Sequence, residues 1–250
     1  MRHQINKKSV LIYSSDDTSK TKGSALGPLV LLDNMHSKDL EFTVIKANED
    51  SSKYFYKNAA TWFTENPLSK IAFGGEHLLT LPIVSILKRQ KSKLKLVVFD
   101  AHHDAYPYHQ VTHYSHFFYA FEELDIDIQF IGVRYEINKS GIPINNISPE
   151  ELKEKGKEFV LSKIKTFLSD DPFYLSLDLD VLDPKEFGSV SFPVDNGLSK
   201  EDLLYIFDGL LASNPDFVDI CEFNPLIANN HDKDFYLEVS QRVIQWYQKL

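Results

Sequence analysis

The feature of this sequence that most limits its fold is the regular alternation of short apolar runs with longer amphipathic stretches. Seven runs are rich in β-branched and aromatic residues and read as strands, at residues 9–14, 42–45, 70–73, 96–99, 126–133, 173–182 and 217–223. Helical patterns lie between or after them, at residues 54–65, 78–89, 148–168 and 235–250. A further helix ends near residue 123, and another begins at residue 199. This alternation predicts an α/β fold, a doubly wound parallel sheet with helices on both faces in three layers. An eight-fold barrel is the alternative, although it needs one more unit.

Two of the predicted strands end in carboxylates and imidazoles. Asp100, His102 and Asp104 follow the fourth strand, and Asp178 and Asp180 lie near the end of the sixth. Alternate residues of an extended segment project to one side, so each cluster can face a common ligand. Carboxylates crowded together are unfavourable unless cations neutralise them. A solvated turn would explain one cluster alone, whereas the two together predict a shared metal site with two ions.

Composition narrows the class of protein. The 250 residues are 43% hydrophobic and contain no Pro/Gly/Ser-rich linker, which predicts one domain over residues 1–250. No apolar run approaches the ~18 residues of a membrane span, and residues 1–17 lack the cleavage site of a signal peptide. The net charge is −9 and the basic run at 88–91 is short, so we expect no nucleic-acid partner. The single cysteine, Cys221, excludes an internal disulfide and indicates the cytoplasm.

Four short motifs, each at the end of a predicted strand, resemble those of a known family. They read Gly-Gly-Glu-His at 74–77, Asp-Ala-His-His-Asp at 100–104, Ser-Leu-Asp-Leu-Asp-Val-Leu-Asp-Pro at 176–184 and Glu-Phe-Asn-Pro at 222–225. The chain resembles the ureohydrolases, which include arginases, agmatinases, formimidoylglutamases and guanidino-acid hydrolases. The motifs of that family are Gly-Gly-Asp-His, Asp-Ala-His-x-Asp, Ser-x-Asp-x-Asp-x-x-Asp-Pro and Glu-x-x-Pro. Their order is the same here, and the resemblance covers nearly the whole chain.

The resemblance implies a binuclear manganese site on an arginase-like fold. Carried over residue by residue, it assigns His77 and Asp104 to one ion, His102 and Asp180 to the other, and Asp100 and Asp178 to both. Carboxylate oxygens with some imidazole also suit Mn²⁺ on ligand preference. His103 occupies a variable position of the family and receives no ligand role. A homo-oligomer is a further expectation from the resemblance.

The implied reaction is hydrolysis of a small guanidino compound. Water activated by two cations attacks the guanidinium carbon, and the intermediate collapses to urea and an amine. The departing amine needs a proton, which the family takes from a histidine in a Ser-His-Gly-Thr segment. His113 takes the place of that histidine when the helix that follows is aligned with the corresponding helix of the family. His116 takes its place when only the Ser-His dipeptide is matched. We favour His113. Glu222 corresponds to the carboxylate that pairs with the guanidinium, an arrangement suited to a planar two-nitrogen fork.

The chain departs from the family in residues that bear on the substrate. Glu76 replaces an aspartate beside the first metal ligand, where it could alter ligand orientation. In arginases, a Ser/Asn-rich loop binds the α-carboxylate of arginine and an acidic residue binds its α-amine. Here a loop containing Tyr106, Tyr108 and Tyr114 replaces the first, and Ile137 replaces the second. These tyrosines could hold a cationic or apolar tail, or could lie on the surface without that role. We therefore expect agmatine-like chemistry ahead of arginase. The alternatives are a hydrolase of another guanidino or formimino compound and a non-catalytic metal-binding protein.

Overall fold

The computed structural model describes residues 8–35, 39–46 and 52–250, and the strands in these ranges form one sheet. The strands are β1 Lys8–Ser14, β2 Leu40–Lys46, β3 Ile71–Gly74, β4 Lys95–Phe99, β5 Asp127–Ile131, β6 Asn146–Ile147, β7 Phe173–Asp178 and β8 Phe217–Cys221. They lie in the order β2-β1-β3-β8-β7-β4-β5-β6, and all neighbours are parallel. The sheet is open, ending at β2 and β6, so the barrel alternative is wrong. The prediction that residues 1–17 are not a signal peptide falls partly on residues 1–7, which lie outside the described residues.

Helices follow most of the strands, as predicted. They are α1 Leu29–Asn34, α2 Ser52–Glu65, α3 Thr80–Gln90, α4 His116–Leu124, α5 Pro149–Lys155, α6 Lys157–Leu168, α7 Lys200–Leu211 and α8 Asn230–Lys249. Short 3₁₀ turns lie at Ser24–Leu26, His77–Leu79, Ile137–Lys139 and Leu179–Val181. Within the described ranges, no helix is long and apolar enough to cross a membrane.

Buried side chains form one core on each face of the sheet. Along β4, Val97 and Phe99 join the first core, whereas Leu96 and Val98 join the second, as the alternation of a strand requires. Helices α1 and α5 to α8 pack on the first face, and α2 to α4 pack on the second. The predicted three-layer, doubly wound α/β fold is confirmed.

The predicted helix at 148–168 is two helices in the structure. Ser148 begins the first as expected, because its side chain accepts a hydrogen bond from the amide of Glu151. Gly156 then has a φ of 85°, a conformation that glycine adopts freely, and this interrupts the helix after Lys155. The two-residue edge strand β6 was not predicted, since so short a segment has no periodicity to detect.

Four adjacent central strands carry the predicted site residues. The order β3-β8-β7-β4 places their carboxyl ends side by side at one edge of the sheet. His77, Glu222, Asp178 and Asp100 each lie at or just beyond the end of one of these strands. In open parallel sheets, this edge is where ligands bind.

Candidate metal centre

The carboxyl ends of β3, β4 and β7 bring His77 and three aspartates to one point. The Nδ1 atom of His77 lies 3.0 Å from Asp100 Oδ2, 3.2 Å from Asp178 Oδ2 and 3.5 Å from Asp104 Oδ2. All four side chains are buried. These are the four residues that the family resemblance assigns to the first metal ion.

A second group adjoins the first through Asp100. The Nδ1 atom of His102 lies 2.8 Å from Asp180 Oδ2 and 3.6 Å from Asp100 Oδ1. Asp100 therefore directs one oxygen at His77 and the other at His102. Asp178 directs only Oδ2 at His77, because its Oδ1 accepts a hydrogen bond from the amide of Asp180 at 2.8 Å. Its assigned bridging role stays a prediction.

The Nδ1 atom of His77 is prepared to donate a lone pair. On the far side of the ring, Nε2 lies 2.9 Å from Ser176 Oγ, and that hydroxyl donates its own proton to Asp219 Oδ1. Ser176 must then accept from Nε2–H, which leaves Nδ1 without a proton in the neutral ring. Nδ1 and Asp100 Oδ2 are buried, and neither has a hydrogen-bond partner among the described residues.

Asp219 anchors this arrangement from behind, and sequence reasoning missed it. Its carboxylate is fully buried and accepts hydrogen bonds from Ser176, Thr80 and Tyr174. Such supporting groups fix the ring orientation of a metal-binding histidine. The available signal was a lone acid inside the otherwise apolar strand β8.

The charges of the two groups are unbalanced without a cation. Burial raises the pKa of Asp104, and the nearby Asp100 raises it further, to about 7. Burial, followed by Asp180 and Asp100, raises the pKa of Asp178 well above its usual range. Burial would lower the pKa of His102, but Asp180 and Asp100 raise it instead, to about 12. Crowded carboxylates of this kind require compensating positive charge, and an oxygen-rich set with two imidazoles suits a divalent cation of the Mn²⁺ type.

Turns, rather than extended alternation, arrange the ligand-type residues. The chain bends at Ala101 and His102, and Asp104 has a φ of 43°. The expected alternation along an extended 100–104 segment is therefore wrong, although the same residues meet. Glu222 also has a positive φ, 68°. Residues other than glycine rarely adopt this conformation, and it recurs at functional sites where the surroundings hold it in place.

A cavity of about 510 Å³ opens beside the two groups. Its walls include His102, Asp104, Asp178, Asp180, His113 and Glu222. Glu222 Oε1 accepts a hydrogen bond from the amide of His77 at 3.0 Å. His116 instead is fully buried, and its Nδ1 donates to the carbonyl oxygen of His113 at 2.7 Å. Of the two candidate proton donors, His113 is thus the one on the cavity wall.

Aromatic side chains also line the cavity, beside Lys20 and Ser191. Tyr106 and Tyr114 line it as expected, together with Tyr135 and Phe192, which sequence reasoning missed. Tyr108 is 55% exposed and packs its ring against Tyr114, with ring centroids 5.3 Å apart, so it lies outside the wall. The loop that carries Phe192 has no motif, and only the folded chain reveals its position.

His103 has a local role. The side chain is buried, and its Nδ1 accepts a hydrogen bond from the amide of Ala105 at 3.0 Å. Its ring packs on Tyr106 with ring centroids 4.4 Å apart. It lies outside both groups of ligand-type side chains, in agreement with its position in the motif.

Comparison with known sequences decides the family. The sequence model of the Arginase family matches residues 6–240. The chain belongs to the arginase family. Among its curated relatives, it is 32% identical over 160 residues to an agmatinase of Photorhabdus laumondii and 34% identical over 160 residues to an agmatinase of Neisseria gonorrhoeae. Each match covers 62% of this chain and 52% of the relative, so the chain spans about half the length of the curated relatives it matches.

Solved structures of family members share the fold. A hypothetical agmatinase from Burkholderia thailandensis superposes with a TM-score of 0.82 at 22% identity, covering 99% of this chain and 88% of that one. Proclavaminate amidino hydrolase from Streptomyces clavuligerus gives 0.85 at 19% identity, with 97% and 92% covered. At these identities, the likeness establishes the arginase fold and no more.

Proposed function

We propose that this chain is a binuclear manganese hydrolase that cleaves a C–N bond of a guanidino compound and releases urea and an amine, with agmatine-like substrates ahead of arginine. The observation that carries the proposal is the pair of buried atoms His77 Nδ1 and Asp100 Oδ2, 3.0 Å apart and without hydrogen bonds in the described part of the chain. A cation between the surrounding carboxylates would satisfy both atoms. The ligand set would be His77, Asp100, Asp104 and Asp178 for one ion and His102, Asp180, Asp100 and Asp178 for the other.

The chain's own side chains would bind the substrate and move the proton. Bound manganese would supply a water that loses its proton near neutral pH. Glu222 would pair with the guanidinium through two parallel hydrogen bonds and so orient its carbon. His113 would take up the proton lost by the water and give it to the amine nitrogen as the C–N bond breaks. One guanidinium cation and one water thus yield one urea and one protonated amine, so atoms and charge balance.

The aromatic side chains of the cavity wall favour a substrate without an α-amino acid group, and Lys20 is the cation on this wall that a carboxylate would have to reach. Tyr106, Tyr114 and Phe192 offer aromatic faces to a cationic or aliphatic tail. The α-amine and α-carboxylate of arginine would each need a partner, since a buried unpaired charge costs several kcal/mol. Agmatinases among the curated relatives support the same choice.

A substrate screen tests the proposal. The manganese-loaded protein is assayed for urea and for amine with agmatine, arginine and a series of guanidino acids, and for amide release from formimino compounds. Urea from agmatine or another simple guanidine is expected. Turnover of a formimino compound alone would favour that alternative, and two bound ions without turnover of any compound would favour a non-catalytic metal-binding protein.

The proposal also includes a cytoplasmic location and a homo-oligomer. Cys221 is buried with a free thiol, which is compatible with a reducing compartment. The homo-oligomer follows from the family resemblance and is tested by light scattering on the purified protein.

A further inference from the structure

Glu76, the residue that departs from the family motif, is fully buried, and its carboxylate has several hydrogen-bond partners. Its Oε1 accepts from Ser15 Oγ at 2.8 Å. Its Oε2 accepts from both the amide and the hydroxyl of Thr18, at 3.1 Å and 2.5 Å. The carboxylate, from the residue adjacent in sequence to His77, therefore fixes the loop after β1.

Thr18 connects this carboxylate to His113. The Oγ1 atom of Thr18 lies 3.0 Å from the amide nitrogen of His113 and 3.0 Å from its Nδ1. A hydroxyl has one proton and two lone pairs, and Thr18 gives its proton to Glu76. With Glu76 ionised, both contacts from His113 must then be donors, so Nδ1 carries a proton.

This proton count determines which ring nitrogen of His113 is available. With Nδ1 protonated, the neutral ring has its lone pair on Nε2. His113 lines the cavity, and its ring is held between Phe192, stacked at 6.1 Å between ring centroids, and Tyr114, edge-on at 4.8 Å. Burial lowers the pKa of His113 to about 4, so the ring is neutral at pH 7.

We propose that Glu76 and Thr18 are positioning residues that hold His113 as the Nδ1-protonated tautomer, with Nε2 free to take a proton and pass it to the leaving amine. The inference rests on the proposed function. An aspartate at position 76 would be one methylene shorter, so the glutamate side chain is what lets the carboxylate reach Thr18. The fixed tautomer matters because the opposite one would offer a donor where the reaction first needs an acceptor.

The tautomer is measured first, without any turnover. Metal-free protein with ¹⁵N-labelled histidine is studied by NMR at pH 8, and His113 is assigned from the spectrum of His113→Ala. We expect a pyrrole-like Nδ1 and a pyridine-like Nε2 in the wild type and in Thr18→Ser, which keeps the hydroxyl. Thr18→Val, which keeps the size of the side chain but removes the whole hydroxyl, and with it the bond to Glu76, should shift the ring toward the Nε2-protonated form. Thr166→Val is the matched control, because Thr166 bonds within α6 on the exposed surface.

Kinetics of the manganese-loaded enzyme then test the consequence. Thr18→Val should lower kcat by roughly 10- to 100-fold, part of the 10²–10⁴-fold that a positioned acid–base group supplies, with KM little changed. Thr18→Ser should restore most of the rate. In a His113→Ala background, Thr18→Val should cause no further loss, because it acts through His113.

Three results would overturn the inference. They are an Nε2-protonated His113 in the wild type, full activity of Thr18→Val, and an equal loss from Thr18→Val with and without His113. If the wild type turns over no guanidino compound, the proposed function fails, but the NMR comparison still decides whether Thr18 sets the tautomer.

Discussion

If the proposed manganese site is correct, replacement of Asp100 should remove much of the stabilisation expected from the bound ions. Asp100 directs Oδ2 at His77 and Oδ1 at His102, so it is the side chain shared by both groups. Asp100→Asn keeps the shape but replaces one oxygen with an NH₂ group, which cannot bind a cation, and removes one negative charge. At least one ion should be lost.

The size of the effect follows from linkage. An ion that binds only the folded state at 100 times its Kd adds about 2.7 kcal/mol to the free energy of unfolding, so two ions add about 5 kcal/mol. For a chain of this length, each kcal/mol raises Tm by about 2–4 °C, so wild-type Tm should rise by about 10–20 °C on loading. Asp100→Asn should show half of that rise or less.

The measurement combines metal analysis with thermal unfolding, each variant being compared with its own metal-free form. Asp183→Asn is the control, because Asp183 belongs to the same 176–184 motif but accepts hydrogen bonds from the amides of Lys185 and Gly197. It should keep two ions and the full rise. If Asp100→Asn also holds two ions per chain and gains the full rise in Tm, the assigned ligand set is wrong.

Three further predictions concern the proton, the substrate and pH. His113→Ala should lower turnover by roughly 10²–10⁴-fold with metal content unchanged, and a comparable loss in His116→Ala alone would show that the wrong histidine is favoured. Side-by-side urea assays should give agmatine, or another guanidine without the α-amino acid, a kcat/KM roughly 10²-fold or more above that of L-arginine; equal use of arginine would contradict the aromatic-tail interpretation. Burial lowers the pKa of His113 to about 4, below about 6.5 in the unfolded chain. The unfolded state therefore binds the extra proton between these values. As the pH is lowered through this window, the free energy of unfolding decreases by up to about 3 kcal/mol. In denaturant titrations of metal-free protein from pH 7 to pH 4, His113→Gln should lose that part of the slope, and an unchanged slope would argue against a neutral buried His113.

Local patterns in the sequence were enough for the fold class and for the ligand-type residues. The short apolar runs rich in β-branched and aromatic residues identify strands, and the capping serine at Ser148 identifies a helix start, because such signals depend on neighbouring residues. The motifs at 74–77, 100–104, 176–184 and 222–225 place the site at strand ends because parallel strands share one carboxyl edge. The proximity of His77 to Asp178, 101 positions apart in the chain, could therefore be expected before the structure.

The tertiary structure decided how those side chains are oriented and supported. Position in sequence favoured His113 over His116 but left both open, whereas the fold puts the first on the cavity wall and buries the second. Asp219, which supports His77 through Ser176, and Thr18, which contacts His113, come from remote segments and carry no motif. A hydrogen bond between distant segments depends on side-chain directions that bring the donor and acceptor atoms to within a few tenths of an ångström of their normal separation. Such directions arise only when the packed layers fix the backbone, which is why the sequence alone determines the ligand types and the structure determines their geometry.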